Sequence, residues 1–308
     1  MVSGKNVPVK TLIVIAGPTA IGKTSLSIYL AKLFNCSILS ADSRQFYKEM
    51  TIGTAKPSAN EMEGIPHYFI NSNSISEEYN VGKYETDAIN LLDKLFTENN
   101  IQILVGGSGL YIDAVCKGFD ELPEADIKVR NKINDLYKEK GIEGLQNLLK
   151  ELDEVYYNKV DLQNPQRISR ALEVCLTSGK KYSSLREGKI KKRNFNIIKI
   201  GLNTKREDLY ERINIRVDEM MKHGFLDEVK QLKSYKHLNA LQTVGYKELF
   251  DYLDGKMELD SAINLIKQNT RRYAKRQLTW FRRDEEIKWF EPGNETDILN
   301  YIKDRVGE

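Results

Sequence analysis

Cysteine is scarce in this 308-residue chain, with only Cys36, Cys116 and Cys175, far apart and odd in number. They give no disulfide framework and no C-x-x-C metal pair, so buried thiols in a reducing compartment are expected. Histidine is as sparse: His67, His223 and His237 are widely separated and read as structural. No H-E-x-x-H motif occurs, and sequence order suggests no Ser-His-Asp set. No apolar run approaches the roughly 20 residues of a membrane span. Met1 to Lys10 has no hydrophobic leader core, so a cytoplasmic protein without a membrane association is expected. Repeats and low-complexity segments are missing too. Charge of one sign does not dominate, since 47 Lys and Arg face 44 Asp and Glu. Composition alone therefore does not announce a nucleic-acid binder.

The distribution of charge says more. The segment 180–199 carries Lys180, Lys181, Arg186, Lys189, Lys191, Lys192, Arg193 and Lys199 against the single acid Glu187. Between Arg271 and Arg283 lie Arg271, Arg272, Lys275, Arg276, Arg282 and Arg283, with no acid. Either cluster can track a phosphate backbone or simply face solvent.

The most specific local signal is Gly17-Pro18-Thr19-Ala20-Ile21-Gly22-Lys23-Thr24, directly after the apolar run Leu12–Ala16. The pattern G-x-x-x-x-G-K-[ST] at a strand-to-helix junction is a phosphate-binding loop. Its backbone N–H groups form an anion nest, and the helix that follows points its positive end at the same anion. Lys23 adds a point charge, and the Thr24 hydroxyl can ligate Mg²⁺. The loop specifies a polyphosphate without saying which.

Around it, strand and helix signals alternate: strand 12–16, helix 23–34, strand 36–40, an extended segment 65–71, helix 81–98 and strand 101–105. This predicts a parallel sheet flanked by helices, with function at the carboxyl ends of the strands. After Leu122-Pro123 only helices are expected, at 125–138, 142–152 and 165–177, before a strand returns at 195–202. Helices then follow at 206–224, 226–234, 245–253 and 259–283. The expected fold is an α/β, P-loop NTPase-like core formed by 1–120 and 193–308, with an all-helical insertion domain at 121–192.

Three further stretches carry candidate chemistry. Asp42, in Asp42-Ser43-Arg44-Gln45, follows the second strand. It can hold Mg²⁺ through water, take a proton from a nucleophile, or serve only as a turn or cap residue. Ser108, in Gly106-Gly107-Ser108-Gly109-Leu110-Tyr111, is either a pocket hydroxyl or part of a plain glycine turn. On a helix, Arg272, Arg276, Thr279 and Arg283 line one stripe, flanked by Tyr273, Gln277 and Trp280. That face suits RNA, or it is an amphipathic helix with snorkelling arginines. Gln166-Arg167-Ile168-Ser169-Arg170 offers a similar choice, its arginines either free for RNA or paired with Asp161 or Glu173.

In combination, the phosphate loop, Asp42–Tyr47, Gly106–Tyr111, Gln166–Arg170, Gly245-Tyr246-Lys247-Glu248 and Thr270–Arg283 resemble the bacterial tRNA dimethylallyltransferase (tRNA isopentenyltransferase) family, in order from Val14 to about Arg283. The resemblance implies transfer of a dimethylallyl group from dimethylallyl diphosphate to N6 of adenosine 37 in tRNAs reading codons that begin with U. It implies Mg²⁺ as cofactor, the tRNA anticodon stem-loop as partner, and Asp42 as the base with Ser108 beside it. By the same resemblance Arg216 joins the phosphate loop in holding the diphosphate, and Thr24 is the metal ligand. The RNA would be contacted by Asp42, Ser43, Arg44, Gln45, Ser108, Arg130, Gln166, Arg167, Ile168, Ser169, Arg170, Gln242, Gly245, Tyr246, Lys247, Lys275, Arg276, Gln277, Trp280 and Arg282. A monomer is expected. The family often has two adjacent histidines and an aspartate in the segment matching 65–71; here Pro66-His67-Tyr68-Phe69-Ile70-Asn71 keeps one histidine. No Cys/His cluster follows Phe281, unlike zinc-finger-bearing eukaryotic relatives. A P-loop nucleotide kinase, an adenylate isopentenyltransferase and a non-catalytic RNA binder are the competing readings.

Overall fold

The computed structural model describes residues 9–306 except 121, 125 and 187. Glu121, Ala125 and Glu187, which bear on the insertion boundary, a helix start and a charge count above, lie outside the described residues.

Six parallel strands form one sheet in the order β3-β2-β4-β1-β5-β6. They are β1 (Thr11–Ala16), β2 (Ile38–Ser40), β3 (His67–Tyr68), β4 (Ile101–Gly106), β5 (Asn196–Leu202) and β6 (Lys288–Phe290). The central strand β1 pairs with β4 from Thr11↔Ile101 to Ala16↔Gly106 and with β5 from Thr11↔Asn196 to Ala16↔Gly201. Both of its faces are covered, so every residue from Thr11 to Ala16 is buried. Ile13 and Ile15 join one core layer with α1 (Lys23–Phe34), while Leu12 and Val14 join the other with α2 (Val81–Glu98) and α3 (Gly109–Lys117). Chain order reverses beside β1, so the loops after β1, β2 and β4 meet at one end of the sheet.

The chain divides into two compact units, 1–117 with 193–308, and 118–192. The second unit is helical. It contains α4 (Ile127–Leu152) and α5 (Pro165–Ser178), packed through Ile133, Leu145, Leu149, Ile168 and Leu172. Within the span of α4, two helices meet at a kink at Gly141, whose φ of 63° is non-helical, between the helices expected at 125–138 and 142–152. Asn164 caps α5 by accepting from Arg167 N–H at 3.1 Å, and Pro165 opens its first turn.

In the first unit, α6 (Arg206–Lys222), α7 (Phe225–Gln231), α8 (Tyr246–Leu253) and α9 (Leu259–Phe281) follow β5. Helix α9 ends at Phe281, short of the expected 283, so Arg282 and Arg283 lie in the turn after it. Strand β6 and α10 (Glu295–Val306) were not expected; α10 buries only Ile298 and Ile302 against the sheet. Among the described residues no helix is long and apolar enough to cross a membrane.

Candidate active site

The phosphate loop leaves the sheet at Ala16 and enters α1 at Lys23. Thr19 to Thr24 line a cleft of ≈ 860 Å³ at the carboxyl end of the sheet. Gly17 and Pro18 of the same motif are buried beneath it and do not face the cleft. Lys23 Nζ donates to the Pro18 carbonyl at 2.7 Å, folding the loop back over its own lysine. Desolvation pushes the Lys23 pKa down to about 7; Arg216 adds to the fall and Asp42 opposes it. Arg216 is desolvated in turn, which lowers its pKa, while Asp42 and Glu61 act the other way. Two desolvated cations lining one cleft mark an anion site.

Asp42 stands on the loop after β2 and lines the same cleft. Its Oδ1 accepts Arg44 N–H at 2.9 Å, an Asx turn that fixes the carboxylate. Ser108, on the turn after β4, is tied to this loop: Ser43 N–H donates to its Oγ at 3.0 Å, and its hydroxyl reaches Ser43 Oγ at 3.2 Å. Tyr273 of α9 lines the same cleft, and burial beside Asp42 pushes its phenol up to about 12, with Ser108 acting the other way. A second cavity of ≈ 210 Å³ shares Thr19, Asp42, Arg216, Met220 and Tyr273 with the first and adds Val217, Phe225 and Ile266. Asp42 thus faces a space bounded by cations on one side and by apolar side chains on the other.

Several lining residues lie outside the motifs of the sequence analysis. Arg212, Ile215, Arg216, Glu219 and Met220 present one face of α6 to the cleft. Only Arg216 was anticipated, although the i, i+3, i+4 spacing of the others was there to be read. His67 also lines the cleft; its Nδ1 meets the Ile65 carbonyl at 2.8 Å, and burial lowers its pKa. Glu228 of α7 accepts the N–H groups of Thr51, Ile52 and Gly53 at 3.0, 2.7 and 3.1 Å and the Tyr246 hydroxyl at 2.6 Å. It thereby holds the 51–53 loop, part of which walls the cleft.

Four expected RNA contacts are corrected by burial. Ile168 is a core residue of the helical unit, because the period of α5 turns it inward between Arg167 and Ser169. Tyr246 is fully buried and bonded to Glu228, and Gly245 is buried beside it. Gln277 is 6% exposed and both ends of its amide are taken within the protein. Other candidates have internal partners while remaining reachable. Gln45 spans Ser40 Oγ at 3.1 Å and the Thr54 and Ala55 carbonyls at 3.3 Å. Trp280 Nε1 donates to Asp113 at 2.8 Å. Arg130 and Arg170 both bind Glu173, at 2.9 and 3.3 Å. Gln166, Arg167, Gln242, Lys247, Lys275, Arg276 and Arg282 are exposed. In the basic clusters, Arg193 pairs with Glu85 at 3.0 Å, and Lys199 is buried against Asp284 and Glu286 at 2.8 and 2.6 Å. Those two cations serve the fold and are subtracted from any phosphate-tracking surface.

A protein-family model described as IPP transferase matches residues 45–284. A tRNA dimethylallyltransferase of Flavobacterium psychrophilum is 57% identical over 303 residues, covering 96% of this chain and 98% of its own. The tRNA dimethylallyltransferase 1 of Bacteroides thetaiotaomicron is 52% identical over 293 residues, 95% of each chain. Among solved structures, the tRNA isopentenylpyrophosphate transferase of Bacillus halodurans superposes with a TM-score of 0.71 at 36% identity, covering 97% of both chains. A eukaryotic dimethylallyltransferase acting on tRNA gives a TM-score of 0.77 at 31% identity, with 96% of this chain and 77% of that one covered. A phosphate loop facing a carboxylate across one cleft, and these likenesses over nearly the whole chain, lead to the same statement: the chain belongs to the IPP transferase family.

Proposed function

We propose that the protein transfers a dimethylallyl group from dimethylallyl diphosphate to N6 of adenosine 37, in the anticodon stem-loop of tRNAs reading codons that begin with U. The products are N6-isopentenyladenosine and diphosphate. The carrying observation is that Asp42 and the phosphate loop line a single cleft.

An exocyclic adenine amine is a weak nucleophile, because its lone pair is delocalised into the ring. Asp42 accepts its proton as the new C–N bond forms and the allylic C–O bond breaks. The Asx turn keeps the carboxylate pointed, and Ser108 with Tyr273 supplies hydroxyls for orienting the base. Charge then grows on the leaving diphosphate. The N–H groups of 20–24, Lys23 and Arg216 are already in place to stabilise it. Arg212 on the next turn of α6 adds a further cation at the rim.

The donor set suits Mg²⁺. The Thr24 hydroxyl lines the cleft with the Asp42 carboxylate, and no cluster of three or more His, Cys, Asp or Glu occurs among the described residues. Such a sparse hard-oxygen set fits an ion that keeps its waters and leans on substrate phosphates. Thr24 would hold it, and when bound it neutralises charge on the diphosphate.

The adenine must leave the loop stack to reach Asp42, which costs little in a single-stranded loop. The exposed Lys275, Arg276 and Arg282, and in the helical unit Gln166 and Arg167, are the RNA contacts in this reading. The protein acts as a cytoplasmic monomer.

The test is a mass measurement on unmodified anticodon stem-loop RNA incubated with dimethylallyl diphosphate and Mg²⁺. One C5H8 unit is gained without ATP, and Asp42→Ala abolishes the gain. Consumption of ATP with the RNA unchanged replaces this reading with a kinase.

A further inference from the structure

Gln277 lies inside the most basic stretch of the chain, between exposed Arg276 and exposed Thr279, yet it points the other way. Its Oε1 accepts the backbone N–H of Thr19 at 2.9 Å, and its Nε2 donates to the Gly107 carbonyl at 2.8 Å. Thr19 begins the part of the phosphate loop that faces the cleft, and Gly107 immediately precedes Ser108. One planar amide therefore joins the diphosphate end of the cleft to the turn that supports Asp42.

The seat of this amide is cut to fit. A Cβ on Gly107 would come within 2.2 Å of Gln277 Nε2. Three residues further along α9, a Cβ on Gly109 would come within 2.2 Å of Trp280 Cδ1, and Trp280 is itself fixed by Asp113. The helix can approach the turn this closely only because both positions are glycine. Thr19 N–H is thereby kept from turning elsewhere, and the loop stays open toward the cleft with Lys23 and Thr24 facing it.

We propose that Gln277 is a positioning residue for the transfer reaction. Its carboxamide holds the phosphate loop and the Ser108 turn at a fixed separation, so that the diphosphate is seated at the correct distance from Asp42. This rests on the prenyl-transfer reading above. The helix that carries the exposed cations on one face thus carries, on the opposite face, the brace of the diphosphate site.

The test is calorimetric binding of dimethylallyl diphosphate with Mg²⁺, without RNA, beside binding of the anticodon stem-loop to the same proteins. Gln277→Met keeps the volume and leaves Thr19 N–H and the Gly107 carbonyl unpaired. It should weaken diphosphate binding about tenfold or more, the scale of an orphaned buried polar group, with RNA affinity within about twofold of wild type. Gln277→Glu keeps the acceptor for Thr19 and sets a second acceptor against Gly107. Its deficit relative to wild type should shrink as pH falls, because a protonated carboxyl donates again. A purely structural role would not produce that pH dependence. Gly107→Ala displaces the amide without deleting it, and should reproduce the diphosphate-specific loss if the Gln277 variants do not fold. Wild-type diphosphate affinity in any folded variant of the three overturns the proposal, as does a Gln277→Glu deficit that ignores pH or a parallel loss of RNA affinity. If the wild-type protein itself fails to bind dimethylallyl diphosphate, the prenyl-transfer reading fails instead.

Discussion

Lys23 connects burial to ligand binding at the scale of one side chain. Its pKa near 7 reflects an ammonium stripped of water beside another cation. A bound diphosphate reverses that balance and restores the proton. Above about pH 7, binding must therefore take up a proton, and affinity must fall as pH rises. Calorimetry in buffers of different ionisation enthalpy measures this directly: net uptake at pH 8 is expected, and little at pH 6. The same depression has a sign for stability. Between about 7 and 10.5 the unfolded chain holds a proton that the native one has released. The contribution of Lys23 is thus most favourable above that window and is lost as pH falls through about 7. Asp42 makes a different prediction. Asp42→Asn keeps the size and the Asx turn but cannot accept the proton. Turnover should drop by about 10² to 10⁴, the worth of a general base, while the KM for dimethylallyl diphosphate changes little. A large rise in KM with turnover retained would assign Asp42 to binding.

Among the elements, α7 and α8 support the cleft from outside it, while α9 also lines it with Tyr273 and Gln277. Glu228 on α7 gathers three successive N–H groups of the 51–53 loop and is held by Tyr246 of α8. Gly53 fits only because it lacks a side chain, since a Cβ there would come within 2.2 Å of Phe225. Gly53→Ala should therefore cost about 1–3 kcal/mol in denaturant unfolding, the usual scale of overpacking. Glu228→Gln should leave the sheet intact and loosen this wall, seen as faster amide exchange at 51–53. On α9, Lys275→Ala with Arg276→Ala should weaken RNA binding and flatten its salt dependence by about two in slope or less, with dimethylallyl diphosphate binding unchanged. These residues show what sequence reading reached. Gly17–Thr24 was legible because its chemistry is contiguous: strand, turn, lysine and hydroxyl follow one another. Gln277 was not, because its partner Thr19 is 258 residues away. The resemblance implies RNA contacts at Tyr246 and Ile168 because they sit inside matched motifs, whereas helical period and a distant partner such as Glu228 turn them inward.

For the whole molecule, the α/β alternation could be read from hydrophobic period alone. The compact units are 1–117 with 193–308, and 118–192. The small β6 and the last helix could not be read, because a three-residue strand and two buried isoleucines leave almost no periodic signal. Cleft membership was likewise hidden, since it is assembled from loops at the carboxyl end of the sheet, one face of α6 and Tyr273 and Gln277 of α9. The central claim is that one cleft holds a prenyl diphosphate and receives a base from RNA. Counting diphosphate released against RNA prenylated, with purified protein and unmodified anticodon stem-loop in the absence of ATP, tests it most directly. The account predicts one diphosphate per prenyl group transferred and none when RNA is withheld. Steady diphosphate release without RNA, or RNA that gains no mass while nucleotide is hydrolysed, would contradict it.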